Sequence, residues 1–263
     1  MSAPIRPGAE PLSKDGHGSL AKIGILVLHG FTGSPVSVRP LAELLSRRGF
    51  AIEMPRLPGH GTTPKDLLPT RYADWRAEAA SALARLRART EHVFAVGLSM
   101  GGTLVLDLAT TEKLDGVVTI NAQILDRGGL VVKLGPVIEK LIPIAPASAA
   151  GLTKNDIKKG GDEDAYDWVA SAAGNSLVRA LPEVRARLKQ LTCPLLVIYS
   201  RDDHSVPPAN SKALPGLVGA GSASDRVTML ELTESYHVAT LDHDLPLIDE
   251  RVASFAESLA KRF

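Results

Sequence analysis

Four short runs along the chain are almost purely apolar: IGILVL at 23–28, VFAV at 93–96, VVTI at 117–120 and LLVIY at 195–199. They lack the polar/apolar alternation of a half-exposed sheet and stop near Gly, Asn or Ser. That pattern predicts strands of a parallel sheet covered on both faces. Between them the apolar spacing lengthens to that of a helix. VRPLAELLSRRG closes on Gly49, DWRAEAASALARLRART is dense in Ala, Leu and Arg, and GGTLVLDLATTE follows the VFAV run closely. Strand and helix in alternation predict a doubly wound α/β sheet.

After Asn121 the alternation breaks. From about 123 to 180 come glycine pairs, several prolines, the apolar segment LVVKLGPVIEKLIPIAP (130–146) and the polar stretch KNDIKKGGDEDAYD, before LPEVRARLKQL resumes a helical spacing. This predicts an inserted cap. The α/β pattern then returns, with RVTMLEL as a strand, a loop carrying SYHVATLDHD, and a last helix from about Pro246 with proline in its first turn. At 263 residues and 44% hydrophobic, the chain has the material for one domain over 1–263 with a cap insertion at about 123–180.

Composition acts mainly by exclusion. A formal net charge of +1 and 4% aromatic residues leave neither a basic phosphate-tracking surface nor stacking platforms, so no nucleic-acid partner is expected. Cys193 is the only cysteine, and MSAPIRPGAEPLSKDG holds no apolar run like the core of a signal peptide. A reducing, cytoplasmic setting is the expectation. No apolar stretch approaches the roughly 20 residues of a membrane span, so any membrane association is expected to be peripheral.

The most specific chemical signal is GLSMG at 97–101, a G-x-S-x-G between a predicted strand and a predicted helix. In that context Ser99 occupies a tight turn above the strand ends, at a helix N-terminus that favours developing negative charge. A serine hydroxyl needs a base to take its proton, and the base needs a third group to orient it. His237 lies after the serine in the loop between the last strand and the last helix, and of the seven histidines it fits best. For the acid, the turn RDDHSVPP offers Asp202 and Asp203; Asp203 is preferred because it falls on the turn itself, with Asp202 left facing solvent. The oxyanion of a tetrahedral intermediate requires N–H donors. The residue after the nucleophile, Met100, supplies one, and HGFTG at 29–33 supplies another from the main chain of Phe31. Nothing indicates a metal or an organic cofactor: there is no HExxH, no paired CxxC and no dinucleotide-binding GxGxxG. The carboxylates of LDHD read as partners of the following helix N-terminus.

Together LVLHGFTGSP, PRLPGHGTTP, GLSMGGT, YSRDDHSVPP and SYHVATLDHD, spread over residues 26–244, resemble the bacterial monoacylglycerol lipase and thermostable carboxylesterase group of α/β-hydrolases. The resemblance implies the α/β-hydrolase fold, Ser99 as nucleophile, Asp203 as acid, His237 as base, and an oxyanion held by the main-chain N–H groups of Phe31 and Met100. It also implies that Glu163 of GGDEDAYD falls at a polar lid position facing the alcohol portion of a small-molecule acyl ester. The apolar segment 130–146, broken by glycines and prolines, reads either as a mobile lid over an acyl pocket that rests on lipid surfaces, with a single fatty chain preferred, or as a segment packed permanently onto the core. A general short-chain carboxylesterase or an acyltransferase is the alternative within enzymes. A catalytically silent binding protein is the alternative outside them.

Overall fold

The computed structural model describes residues 3–126, 135, 137, 139–150, 152–218 and 226–262. The strands are β1 (Leu12–Lys14), β2 (Ile23–Leu28), β3 (Ala51–Met54), β4 (His92–Leu98), β5 (Gly116–Ile120), β6 (Ile144–Pro146), β7 (Trp168–Ala170), β8 (Leu195–Ser200) and β9 (Val227–Leu232). Seven of them form one sheet in the order β1-β3-β2-β4-β5-β8-β9. All neighbours are parallel except the short edge strand β1, which runs antiparallel to β3. The apolar runs form its centre: every residue of β2, β5 and β8 is buried.

Alternate side chains of these strands feed two cores. Leu26, Leu28, Ala95, Val117, Leu195 and Val197 pack beneath α2 (Tyr72–Arg87), α3 (Met100–Ala109) and α4 (Ser171–Arg187). Ile25, Val27, Phe94, Val96, Val118 and Ile198 pack beneath α1 (Arg39–Arg48) and α6 (Leu245–Ala260). Burial of nonpolar side chains on both faces explains why the strand sequences do not alternate. Gly49 ends α1 in the left-handed conformation at φ +113°, and its N–H bonds back to Leu45 and Ser46.

Between β5 and β8 the chain leaves the main sheet. Here β6 and β7 form a separate antiparallel pair, and α4 returns the chain to the core through Ala173, Leu177, Leu181 and Val184. Residue 180, the expected end of the cap, falls inside α4. Of the apolar segment 130–146, residues 130–134, 136 and 138 lie outside the described residues. Four of the six exposed large hydrophobic side chains among the described residues lie between β5 and β8, namely Val137, Leu141 and Ile142 of this segment and Trp168 of β7. A further helix, α5 (Ala209–Leu217), follows β8. Among the described residues no helix is long and apolar enough to cross a membrane.

Candidate active site

Strands β2 and β4 are neighbours, yet the chain leaves β2 toward β3 on one side and leaves β4 toward β5 on the other. The loops after them diverge and open a crevice at the carboxyl ends of the strands, the usual ligand position in such sheets. HGFTG and GLSMG are these two loops. They come so close that a Cβ on Gly30 would lie 3.2 Å from Ser99 Cβ.

Ser99 joins β4 to α3 with φ +55° and ψ −117°, a conformation that L-residues seldom adopt. Its flanking glycines are required by crowding. A Cβ on Gly97 would come within 2.1 Å of the Gly101 carbonyl oxygen, and one on Gly101 within 2.3 Å of that of Leu28. The Ser99 N–H is fixed to the Ile120 carbonyl at 2.9 Å, so the side chain projects from a braced turn. Met100 is the first residue of α3, where no preceding helical turn offers its N–H an acceptor. The Phe31 ring packs on Trp75 and His60, with centroids 5.4 Å and 6.1 Å away, which holds the loop at the crevice wall.

The structure brings His237 and Asp203 together. His237 Nδ1 lies 2.8 Å from Asp203 Oδ2, and both side chains are largely buried. The other oxygen, Asp203 Oδ1, accepts the N–H groups of Ser205 and Val206 at 2.8 and 2.7 Å, so the turn itself aims the carboxylate. Asp202 is exposed. A carboxylate at Nδ1 places the ring proton there and leaves Nε2 as the free lone pair. Burial works to lower the His237 pKa. The charge and hydrogen bond of Asp203, with Glu163 and Asp156 further off, outweigh it and carry the pKa above the usual histidine value.

Ser99, His237, Phe31 and Glu163 line one pocket, together with Thr32, Gln123 and Val206. Leu152, Thr153 and Glu163 bring the stretch between β5 and β8 to that wall. Glu163 is held reciprocally by Asn155: each side-chain oxygen accepts the other's backbone N–H at 3.0 Å. Burial raises the Glu163 pKa, against the pull of the Asn155 N–H and of His237. Nearby, the Tyr166 N–H donates to Thr32 and its hydroxyl to the Gly59 carbonyl, fastening DEDAY to the HGFTG and PGHG loops.

Two histidines of the conspicuous loop motifs have structural roles. His29 donates from Nδ1 to the Gly30 carbonyl and accepts the Leu57 N–H at Nε2, and burial depresses its pKa to about 4. His60 packs edge-on against it and is pushed well below the usual range by burial. In LDHD, only Asp244 takes the N-cap position of α6, and its carboxylate accepts the Glu234 N–H. Asp242 instead accepts the N–H groups of Lys158, Lys159, Tyr236 and His243, tying the 154–160 segment to the loop that carries His237. Among the described residues no group of three His, Cys, Asp or Glu is arranged to hold a metal ion.

One supporting residue had no separate signal in the sequence. Asn121, at the end of β5 with φ +48°, donates to the His237 carbonyl at 2.7 Å and to Ser200 Oγ at 3.1 Å, while its own oxygen accepts the Ser200 N–H. It thereby fastens the His237 loop to the strand that leads into the Asp203 turn.

Residues 25–255 match the model of the alpha/beta hydrolase family. The chain is 35% identical over 266 residues to a thermostable monoacylglycerol lipase of Bacillus sp. (strain H-257), covering 96% of each protein. It is 27% identical to a carboxylesterase of Bacillus subtilis (strain 168), covering 89% of this chain and 92% of that one. Among solved structures, one from work on the metagenome-derived lipolytic enzymes LipS and LipT superposes with a TM-score of 0.87 at 37% identity, over 97% of this chain and 100% of the other. The monoacylglycerol lipase of Paleococcus ferrophilus, at 18% identity, shares the fold with a TM-score of 0.75 over 95% of this chain and 99% of its own. The chain belongs to the alpha/beta hydrolase family, alongside the bacterial lipase and carboxylesterase to which it is similar.

Proposed function

We propose that this carboxylic-ester hydrolase cleaves monoacylglycerols, or similar single-chain fatty acyl esters, through an acyl-enzyme on Ser99. The observation that carries the reading is the pocket that joins the strained Ser99 turn to the His237–Asp203 pair at 2.8 Å. In this mechanism His237 Nε2 takes the Ser99 proton as Oγ attacks the ester carbonyl carbon. The carbonyl oxygen gains the negative charge, which the main-chain N–H groups of Phe31 and Met100 stabilise. Collapse expels the alcohol, which leaves with the proton from His237. Water, deprotonated by the same imidazole, then attacks the acyl-enzyme and releases the fatty acid. Asp203 keeps Nδ1 protonated and stabilises the imidazolium.

The substrate class rests on two supports. A relative named thermostable monoacylglycerol lipase aligns over 96% of the chain, and Glu163, which lines the same pocket as Ser99, would accept hydrogen bonds from the hydroxyls of a glycerol portion. The exposed Val137, Leu141, Ile142 and Trp168 support peripheral contact with lipid surfaces during substrate uptake. The lone, buried Cys193 supports a cytoplasmic setting.

The reading is tested by hydrolysis of a 1-monoacylglycerol beside the matching triacylglycerol and a butyrate ester, by wild type and Ser99→Ala. The monoacylglycerol is expected to have the highest kcat/KM, and Ser99→Ala is expected to lose activity by a factor on the order of 10⁴ or more. Preference for butyrate would leave a short-chain carboxylesterase. Undiminished turnover by Ser99→Ala would remove the mechanism.

A further inference from the structure

We propose that Asp156, which comes from the stretch between β5 and β8, is a positioning residue for the Ser99 reaction. A single buried carboxylate holds the acid loop and the base loop in register with each other. The proposal rests on the roles given to Ser99, His237 and Asp203 above.

The acid and the base stand on separate loops, after β8 and after β9, so their alignment depends on what spans them. Asp156 does so from a third segment of chain. Its Oδ2 accepts the backbone N–H of His204, the residue after Asp203, at 3.0 Å and that of His237 itself at 3.3 Å. Its Oδ1 accepts the ring Nδ1–H of His204 at 2.8 Å, and its carbonyl accepts the Val238 N–H at 3.0 Å. The His204 ring lies edge-on against Tyr236, with centroids 4.5 Å apart, closing the link on the other side of His237. Asp156 is 5% exposed, and among the described residues its one ion-pair partner is the half-exposed ring of His204. A buried carboxylate with no Lys or Arg to balance it costs stability, so its retention at this point calls for a return elsewhere.

Its charge bears on the chemistry as well. Three carboxylates face His237: Asp203 from the acid turn, and Glu163 and Asp156 from the stretch between β5 and β8, with His204 on the outer side of Asp156. Negative charge there favours the imidazolium that forms as Ser99 gives up its proton. Asp156 is not among the residues that line the pocket with Ser99, so its replacement is expected to act on turnover rather than on substrate binding.

Asp156→Asn keeps the shape and removes the charge. In the full-length protein with p-nitrophenyl butyrate, kcat is expected to fall on the order of tenfold, the scale of a small misalignment of catalytic groups, with KM nearly unchanged. The acidic limb of the kcat/KM profile is expected to move to lower pH, because a charge that favoured protonated His237 is gone. Asp156→Glu, which moves the charge outward by one methylene, is expected to keep the limb close to its place and still lose kcat. A merely structural role would lower the thermal midpoint without moving the limb. An unmoved limb in Asp156→Asn overturns the proposal, as does wild-type kcat in either variant; if Asp156→Asn does not fold, Asp156→Glu decides, since a lowered kcat at an unchanged thermal midpoint upholds the proposal and a kcat that falls only in step with the midpoint overturns it. Failure of the underlying reading looks different: Ser99→Ala would hydrolyse the ester as well as wild type, and both would fall together.

Discussion

Asp202 and Asp203 are adjacent and chemically identical, and their turn separates them. Asp203 is locked by two backbone N–H groups and faces His237, whereas Asp202 is exposed. Asp203→Asn is therefore expected to lower kcat by a factor on the order of 10⁴, through the wrong histidine tautomer, and Asp202→Asn to change it less than about twofold. Steady-state rates on one soluble ester check this, and the reverse ranking would transfer the role to Asp202. The tight turn at Ser99 and the meeting of His237 with an aspartate of the RDDHSVPP turn were legible in the sequence. Gly97, Ser99 and Gly101 are constrained by their own turn, and His237 by chain order and loop position. The choice between the two aspartates was a preference only, since a one-residue step in a turn reverses the direction of a side chain. Asn121 and Asp156 carried no such signal. Asp156 reaches partners 48 and 81 residues away, and no local pattern encodes a contact of that kind.

Among elements, the buried strands and the helices flanking them followed from apolar runs and stops, and what escaped has physical causes. In β3 the buried Glu53 interrupts the apolar run, and it is tolerated because Ser13 and Arg89 reach it at 2.7 and 3.1 Å. Helix α4 starts at Ser171, well before LPEVRARLKQL; Gly174, Asn175 and the internal Pro182 obscured it, and packing overrides these poor helix formers. The β6–β7 pair is too short to show a period. Around that pair the exposed Val137 and Trp168 touch water in the isolated protein. Replacing both with Asp is expected to reduce hydrolysis of a long-chain monoacylglycerol in vesicles far more than that of a soluble butyrate ester. The thermal midpoint should hardly move, since exposed positions contribute within about 0.5 kcal/mol. Equal loss on both substrates with a lowered midpoint would show that these side chains are packing residues.

At the scale of the whole molecule, the crevice where β2 and β4 diverge is lined by loops that depend on neutral histidines. His29 has a folded pKa of about 4, and His60 is likewise lowered well below its usual value, both chiefly by burial. Such groups contribute stability that is fully present above about pH 6.5 and is lost as pH falls toward the folded pKa. For His29 alone the loss approaches about 3 kcal/mol by pH 4. His237 has the opposite sign: its raised pKa adds stability below about pH 6.5 that is lost as pH rises through the folded value. With two histidines against one, the thermal midpoint is expected to drop between pH 7 and pH 4.5; a flat or rising midpoint would contradict the neutral pair. Activity should fall earlier, because raised basicity at His237 shifts its protonation to higher pH than that of an ordinary histidine. The pocket is proposed to act through a covalent bond to Ser99. Its most direct measurement is intact-mass and peptide mass spectrometry after treatment with a fluorophosphonate. The expected result is one phosphonyl group per chain, on Ser99, with parallel loss of ester hydrolysis and no labelling of Ser99→Ala. A protein that hydrolyses esters yet stays unlabelled, or that carries the label on another residue, would contradict it.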